Sequence, residues 1–273
     1  MPRSESRLAV SPFFQGVEPL EPRQFLSVSP ALNVPALNIP TPPVLTNSVV
    51  NGGFEDPVAF NGWTTDGNAT IQGSNYVAPP QGQEQAVLST GTVPTLGNTP
   101  DTAANLESFL SLPTGLLSKG NNGPAIDGTA IKQTFTSKGI ELISFQANFL
   151  TNETGTNDYG FVTLTNGKGG TQFFKIRGPL HATSDLDAAN TSENSESGYH
   201  TYYLLVPGSG NWTLGFGVVN TVNAEVLSNL AVDNVQATPI FGPGGFFGGF
   251  PFGVDAFGGC SADASTSSFF ASA

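Results

Sequence analysis

The run Ile143-Ser144-Phe145-Gln146-Ala147-Asn148-Phe149 decides the fold class. In an extended chain Ile143, Phe145, Ala147 and Phe149 point one way, and Ser144, Gln146 and Asn148 the other. Alternation with period two, with aromatic rings on the apolar side, marks a strand with one buried face. A second run repeats it: Trp212, Leu214, Phe216 and Val218 alternate with Thr213, Gly215 and Gly217. Working outward, weaker strand patterns cover Gln85–Ser89, Ala130–Thr136, Gly160–Thr165, Gln172–Arg177, Thr201–Val206 and Leu230–Gln236. Turn pairs Lys138-Gly139, Asn166-Gly167 and Pro207-Gly208 separate several of them. One helix is predicted, capped by Thr99 with Pro100 in its first turn. Leu106, Phe109 and Leu110 share its apolar face, and it stops at Pro113. Such a helix would plug one end of a sandwich. Many short strands and almost no helix predict an all-β, jelly-roll-like antiparallel β-sandwich.

Composition narrows the function. Lys and Arg total 9 against 21 Asp and Glu, a formal net charge of −12. Nucleic acids and anionic lipid surfaces need positive charge at the contact, so neither is an expected partner. Charged residues form only 11% of the chain, against roughly 25% in ordinary soluble domains. The surface is therefore Thr, Ser, Asn, Gln and Gly, a coat that suits strands and turns. Cys260 is the single cysteine, which rules out an intrachain disulfide. No apolar run reaches the roughly 18–20 residues of a transmembrane helix.

Three zones follow. Residues 1–45 are dense in proline and read as a disordered lead. Residues 46–239 carry the folded pattern, and residues 240–273 form a low-complexity tail that opens with the Gly/Phe run Phe241–Phe250.

Asn51-Gly52-Gly53-Phe54-Glu55 near the start of the middle zone, with Val232-Asp233-Asn234-Val235 near its end, resembles the galactose-binding-like jelly roll of many carbohydrate-binding modules. That resemblance implies a structural Ca²⁺ held by Glu55 and Asp233. The ion takes six to eight hard oxygens, and two carboxylates from terminal strands would staple the fold. The plainer alternative is a turn with a solvated Glu55. Ala130–Thr136, Ile143–Glu153 and Asn157–Val162 are similar to exported bacterial "choice-of-anchor" and PEP-CTERM-type surface domains. Leu20-Glu21-Pro22-Arg23-Gln24-Phe25-Leu26-Ser27 resembles the planctomycete-type LEPR-XLL motif, with Phe25 replacing a leucine. Together these imply a protein exported to the bacterial cell surface or matrix.

Sugar contact would need exposed aromatic rings backed by amides and carboxylates. Trp63, Tyr159, Asn157 and Asp158 are the ligand-binding candidates, and Trp212 belongs to the core. Residues 152–158 are rich in oxygen donors, although Asn and Asp also simply make turns. No catalytic residue stands out. His181 and His200 are the only histidines, no Gly-x-Ser-x-Gly elbow exists, and no paired carboxylate motif is evident. The leading reading is a non-catalytic exported surface or matrix protein, with polysaccharide or other surface proteins as partners. A carbohydrate-binding module stabilised by Ca²⁺ is the alternative, and a glycoside-active enzyme the second alternative.

Overall fold

Alternating runs become long antiparallel strands, arranged in two layers. The computed structural model describes residues 47–91, 99–120, 123–153, 157–182, 192–224, 226–240 and 271–272. All of them belong to one compact unit, Pro43–Ala273.

In chain order the strands are β1 (Thr64–Asp66), β2 (Asn68–Gly73), β3 (Glu84–Ser89) and β4 (Asp101–Thr102), followed by helix α1 (Ala103–Phe109). Then come β5 (Ala125–Ser137), β6 (Glu141–Thr151), β7 (Tyr159–Thr165), β8 (Thr171–Ile176), β9 (His181–Ala182) and β10 (Ser195–Glu196). The last are β11 (His200–Val206), β12 (Gly210–Thr221), β13 (Ser228–Pro239) and β14 (Ala271–Ser272). Among the described residues the first sheet runs β1-β5-β12-β7-β8, with β4 also on β5. The second runs β14-β11-β6-β13-β3-β2, with β10 on β6 and β9 on β10. β5, β6 and β7 alternate between the layers, as do β11, β12 and β13, the jelly-roll arrangement that lets each sheet bury one face on the other.

The two deciding runs meet across that interface. Phe145 of β6 lies edge-on to Phe216 of β12 at 4.8 Å between centroids and stacks on Tyr202 of β11 at 5.3 Å. Ile143, Phe149, Leu214 and Val218 are fully buried in the same cluster. Burying each such side chain contributes about 1.5–3 kcal/mol. Trp212 lies in this core as expected, 8% exposed.

Helix α1 departs from its predicted start and place. Thr99 and Pro100 precede it, but Asp101 and Thr102 pair as β4 with Gly128 and Asp127. Thr102 is the cap, its Oγ1 accepting from Asn105 N at 3.3 Å. The helix does not plug an end of the sandwich. It lies on the outer face of the first sheet, where Leu106, Leu110 and Leu117 pack with Tyr159, Phe161 and Val219. Gly215 makes this possible, since a Cβ there would meet Leu110 Cδ2 at 2.6 Å.

The expectations for residues 1–45 and for the Phe241–Phe250 run lie outside the described residues, as does Leu20–Ser27. Ala271–Ser272, placed by sequence in a tail, pair with Tyr203 and Tyr202 of β11.

Candidate functional site

The motif that opens the domain and the one that closes it come together at a bulge in β13. Pairing of β13 with β6 shifts register between Asp233 and Gln236. Two polar residues in succession, Asp233-Asn234, break the alternation, and Asn234 takes a left-handed φ of 52°. Gly52 packs against the bulge and accepts from Val235 N at 2.8 Å. Its Cβ, had it one, would stand 1.9 Å from the Val235 carbonyl oxygen, so this approach requires glycine.

Asp233 is fully buried here. Its Oδ2 accepts from Gln81 N at 3.0 Å and its Oδ1 from Asn234 N at 2.6 Å. Burial pushes its carboxyl up to about 7, helped by the nearby Glu55 carboxylate and opposed by those two backbone bonds. Glu55 is exposed and folds back, its Oε1 accepting from Gln83 N at 2.6 Å and Glu84 N at 2.8 Å. The structure thus brings Glu55 and Asp233 into one electrostatic neighbourhood. Each carboxylate keeps unused lone pairs, since an ionised carboxylate offers about four. No cationic side chain is among the charges acting on Asp233. Two carboxylates supply part of the six to eight hard oxygens that Ca²⁺ takes, and among the described residues no third His, Cys, Asp or Glu joins them.

Beyond the bulge the outer face of the second sheet carries polar side chains, half-buried to exposed. Asn234 Nδ2 donates to Gln146 Oε1 at 2.9 Å, and Gln236 Nε2 donates to Asn234 Oδ1 at 2.6 Å. Register places Tyr203, Ser144 and Gln236 in one row across three strands. Thr201, Gln146 and Asp233 form the next. Gln236 is exposed, and Tyr203, Thr201, Ser144 and Gln146 are half-buried. Chemically the face offers amide donors and acceptors side by side, beside a tyrosine ring.

The aromatic candidates lie elsewhere. Trp63 is buried, 5.4 Å from Phe54 and 6.0 Å from Phe216, with its Nε1 donating to Asn51 O at 3.1 Å. It is a core residue and presents no face to a ligand. Tyr159 is 1% exposed, donates its hydroxyl to Leu117 O, and has Lys175 Nζ 4.5 Å over its ring. The segment after α1 covers it, which sequence had no means of showing. Asp158 is buried too, bonded by Thr221 N and Ser228 Oγ at 2.8 Å each. Burial pushes its carboxyl up to about 6. Trp63, Tyr159 and Asp158 are therefore structural. Asn157 is half-buried at the edge of the described residues.

Asn234, Gln146 and Gln236 were missed by sequence reasoning. Their one visible signal is the Asp-Asn pair that breaks alternation in Val232–Val235. A carboxyl pair was missed as well. Asp66 of β1 hydrogen-bonds Asp101 of β4, and burial followed by the Asp101 charge raises the Asp66 carboxyl. Carboxyls in direct contact leave no room for a glycosidic bond between them, which needs about 5 Å or more.

No known protein family matches the chain, and no curated protein matches its sequence. The choice-of-anchor, PEP-CTERM-type and LEPR-XLL resemblances thus gain no family match. Among solved structures the chain is similar to TmCBM61 in complex with β-1,4-galactotriose, at 10% identity and TM-score 0.39, covering 70% of this chain and 97% of that one. It is also similar to the Emp47p carbohydrate recognition domain, at 9% identity and TM-score 0.35, covering 71% and 93%. A third is the CBM22-1 xylan-binding domain from Paenibacillus barcinonensis Xyn10C, at 12% identity and TM-score 0.31, covering 65% and 85%. The fold is an all-β jelly-roll sandwich, with one short helix among the described residues.

Proposed function

We propose that this chain is a non-catalytic carbohydrate-binding protein whose glycan surface is the polar outer face of the second sheet. The observation that carries the reading is the connected amide row Gln146–Asn234–Gln236, aimed by a bulge in which Asn234 holds a left-handed conformation. Asn adopts that region more readily than other non-glycine residues, and the turn it makes at the bulge fixes the direction of its side chain. Paired amides suit vicinal hydroxyls, each of which donates and accepts. A face lined by amide and hydroxyl side chains, with the buried Asp233 carboxyl in its next row, fits a neutral polysaccharide chain better than a small acid or nucleotide.

An exported setting, at a cell surface or in an extracellular matrix, belongs to the same reading, because such polymers are met there. No helix among the described residues is long and apolar enough to cross a membrane. The cofactor in this proposal is a structural Ca²⁺ held by Glu55 and Asp233. It would neutralise two carboxylates and lock the opening segment onto β13, without touching the glycan.

Affinity electrophoresis in gels containing galactan, xylan, mannan or β-glucan tests the glycan reading. At least one polymer is expected to retard the protein. Gln146→Ala and Asn234→Gly should each weaken that retention by about tenfold or more, a loss of 1.4 kcal/mol. Asn234→Gly keeps the backbone conformation, so its loss of binding separates recognition from folding. Failure of every polymer to bind, or full retention by both variants, overturns the reading.

A further inference from the structure

At one end of the sandwich, away from the amide row, a cavity of about 380 Å³ opens between residues that follow β3 and residues that precede β13. Thr90, Gly91, Thr99 and Asp127 give it a polar side, and Val226 and Leu227 an apolar side. We propose that this cavity binds a single pyranose-sized polyol, a site distinct from the sheet face and sharing no residue with it.

The layer behind the lining is built to position two acceptors at the wall. Asn220 sits at the bulge of β12, between Val219 and Thr221, and donates its Nδ2 to Asp127 Oδ1 at 2.9 Å. In doing so it leaves its own Oδ1 buried with no hydrogen-bond partner. Asn68 repeats the arrangement, donating Nδ2 to Gly91 O at 2.6 Å while its Oδ1 stays unpartnered. Both asparagines are almost wholly buried. Orphaned buried acceptors are destabilising and rare in folded proteins. Six such polar atoms occur among the described residues, and the two on Asn68 and Asn220 belong to amides whose other end orients a lining residue. Asp127 Oδ2 takes no part in the Asn220 bond and is available to accept from a ligand hydroxyl. Leu227 closes over Gly91, where a Cβ would meet Leu227 Cδ1 at 2.5 Å.

Volume and lining both favour a sugar ring. Small-ligand pockets run from about 300 to 1,000 Å³, so the cavity suits one ring and not a chain. One side accepts hydroxyls and the other receives C–H groups, the two characters a pyranose presents. A divalent cation is disfavoured, because one carboxylate already bonded to an amide falls short of six to eight oxygen ligands.

The test is a nitrogen–proton NMR titration of the full chain with glucose, galactose, mannose and xylose at millimolar concentrations. At least one sugar should shift the backbone signals of Gly91, Asp127 and Leu227 saturably, leaving those of Gln146 and Asn234 in place. Ala224→Trp, on an exposed rim residue that also lines the cavity, should abolish the shifts with the rest of the spectrum intact. Asp127→Ala should weaken the affinity by about tenfold or more. No response to any of the four sugars, shifts confined to Gln146 and Asn234, or the same shifts produced by calcium chloride alone each overturn the proposal. Loss of polysaccharide retention at the sheet face would leave this result untouched, so the two sites fail separately.

Discussion

Two buried aspartates set the pH behaviour residue by residue. The Asp233 carboxyl is raised to about 7 and that of Asp158 to about 6, in both cases first by burial. A raised carboxyl binds its proton more tightly folded than unfolded. Its contribution is therefore complete below the unfolded value near 3.9 and is lost as pH climbs through the folded value. Without added metal, the melting temperature should rise as pH falls from 8 towards 5, by several degrees at about 2–4 °C per kcal/mol. Asp158→Asn should flatten the part of that rise below pH about 6, which separates this residue from general relief of the negative net charge. A melting temperature that stays level or falls on acidification contradicts the assignment. Trp63 carries the second prediction at this scale. Packed on Phe54 and Phe216, it should lose about 3–5 kcal/mol on Trp63→Ala in urea unfolding. A stable variant that only loses glycan binding would return Trp63 to the surface.

Strands were legible element by element, because period two shows directly which residues face the core. Faces of the sandwich were not. Leu106 and Leu110 announced a helix, yet nothing local says that its apolar side meets the outer face of β7. That partner is supplied by Tyr159 and Phe161, which alternate with Gly160 and Val162 in a strand buried on both sides. A strand buried on both faces loses clean alternation, so its second partner stays hidden in sequence. The same blindness made Tyr159 look like a sugar platform, although its cover is attached some forty residues earlier by the hydroxyl bond to Leu117. Glu107 secures that cover, accepting from Gly115 N at 2.7 Å and Leu117 N at 2.8 Å. Leu106→Ala should accordingly cost about 2–5 kcal/mol, read by urea unfolding. Hydrogen exchange should quicken at Leu117 before it does in β6. Uniform loss of protection across both sheets would instead make the cover part of the central core.

Across the whole molecule the opening segment works as a clasp. Asn47 Oδ1 accepts from Ala237 N at 2.8 Å, near the end of β13, and Ser48 Oγ donates to Glu141 Oε2 at 2.7 Å on β6. Val50 exchanges two bonds with the Gln133 side chain on β5, at 2.7 and 2.8 Å. One short stretch thereby ties both sheets before Gly52 meets Val235. The paired motifs were readable because each is local. Their meeting followed from resemblance alone, since residues some 180 apart in the chain cannot be placed by alternation. A cation at Glu55 and Asp233 would complete this clasp, and its linkage to protons gives the proposal a sign. Asp233 must be ionised to hold Ca²⁺, so binding releases a proton wherever the metal-free carboxyl is protonated. Added Ca²⁺ should therefore raise the melting temperature more at pH 8 than at pH 5, opposing the acid stabilisation seen without metal. Calorimetry with Ca²⁺ against chelator, at both pH values, reads this directly. Glu55→Gln with Asp233→Asn should remove the metal dependence and leave the fold intact, because the backbone N–H groups of Gln81, Gln83 and Glu84 still find amide oxygens in place of carboxylates. A calcium response that survives in that double variant, or one equal at both pH values, places the ion elsewhere.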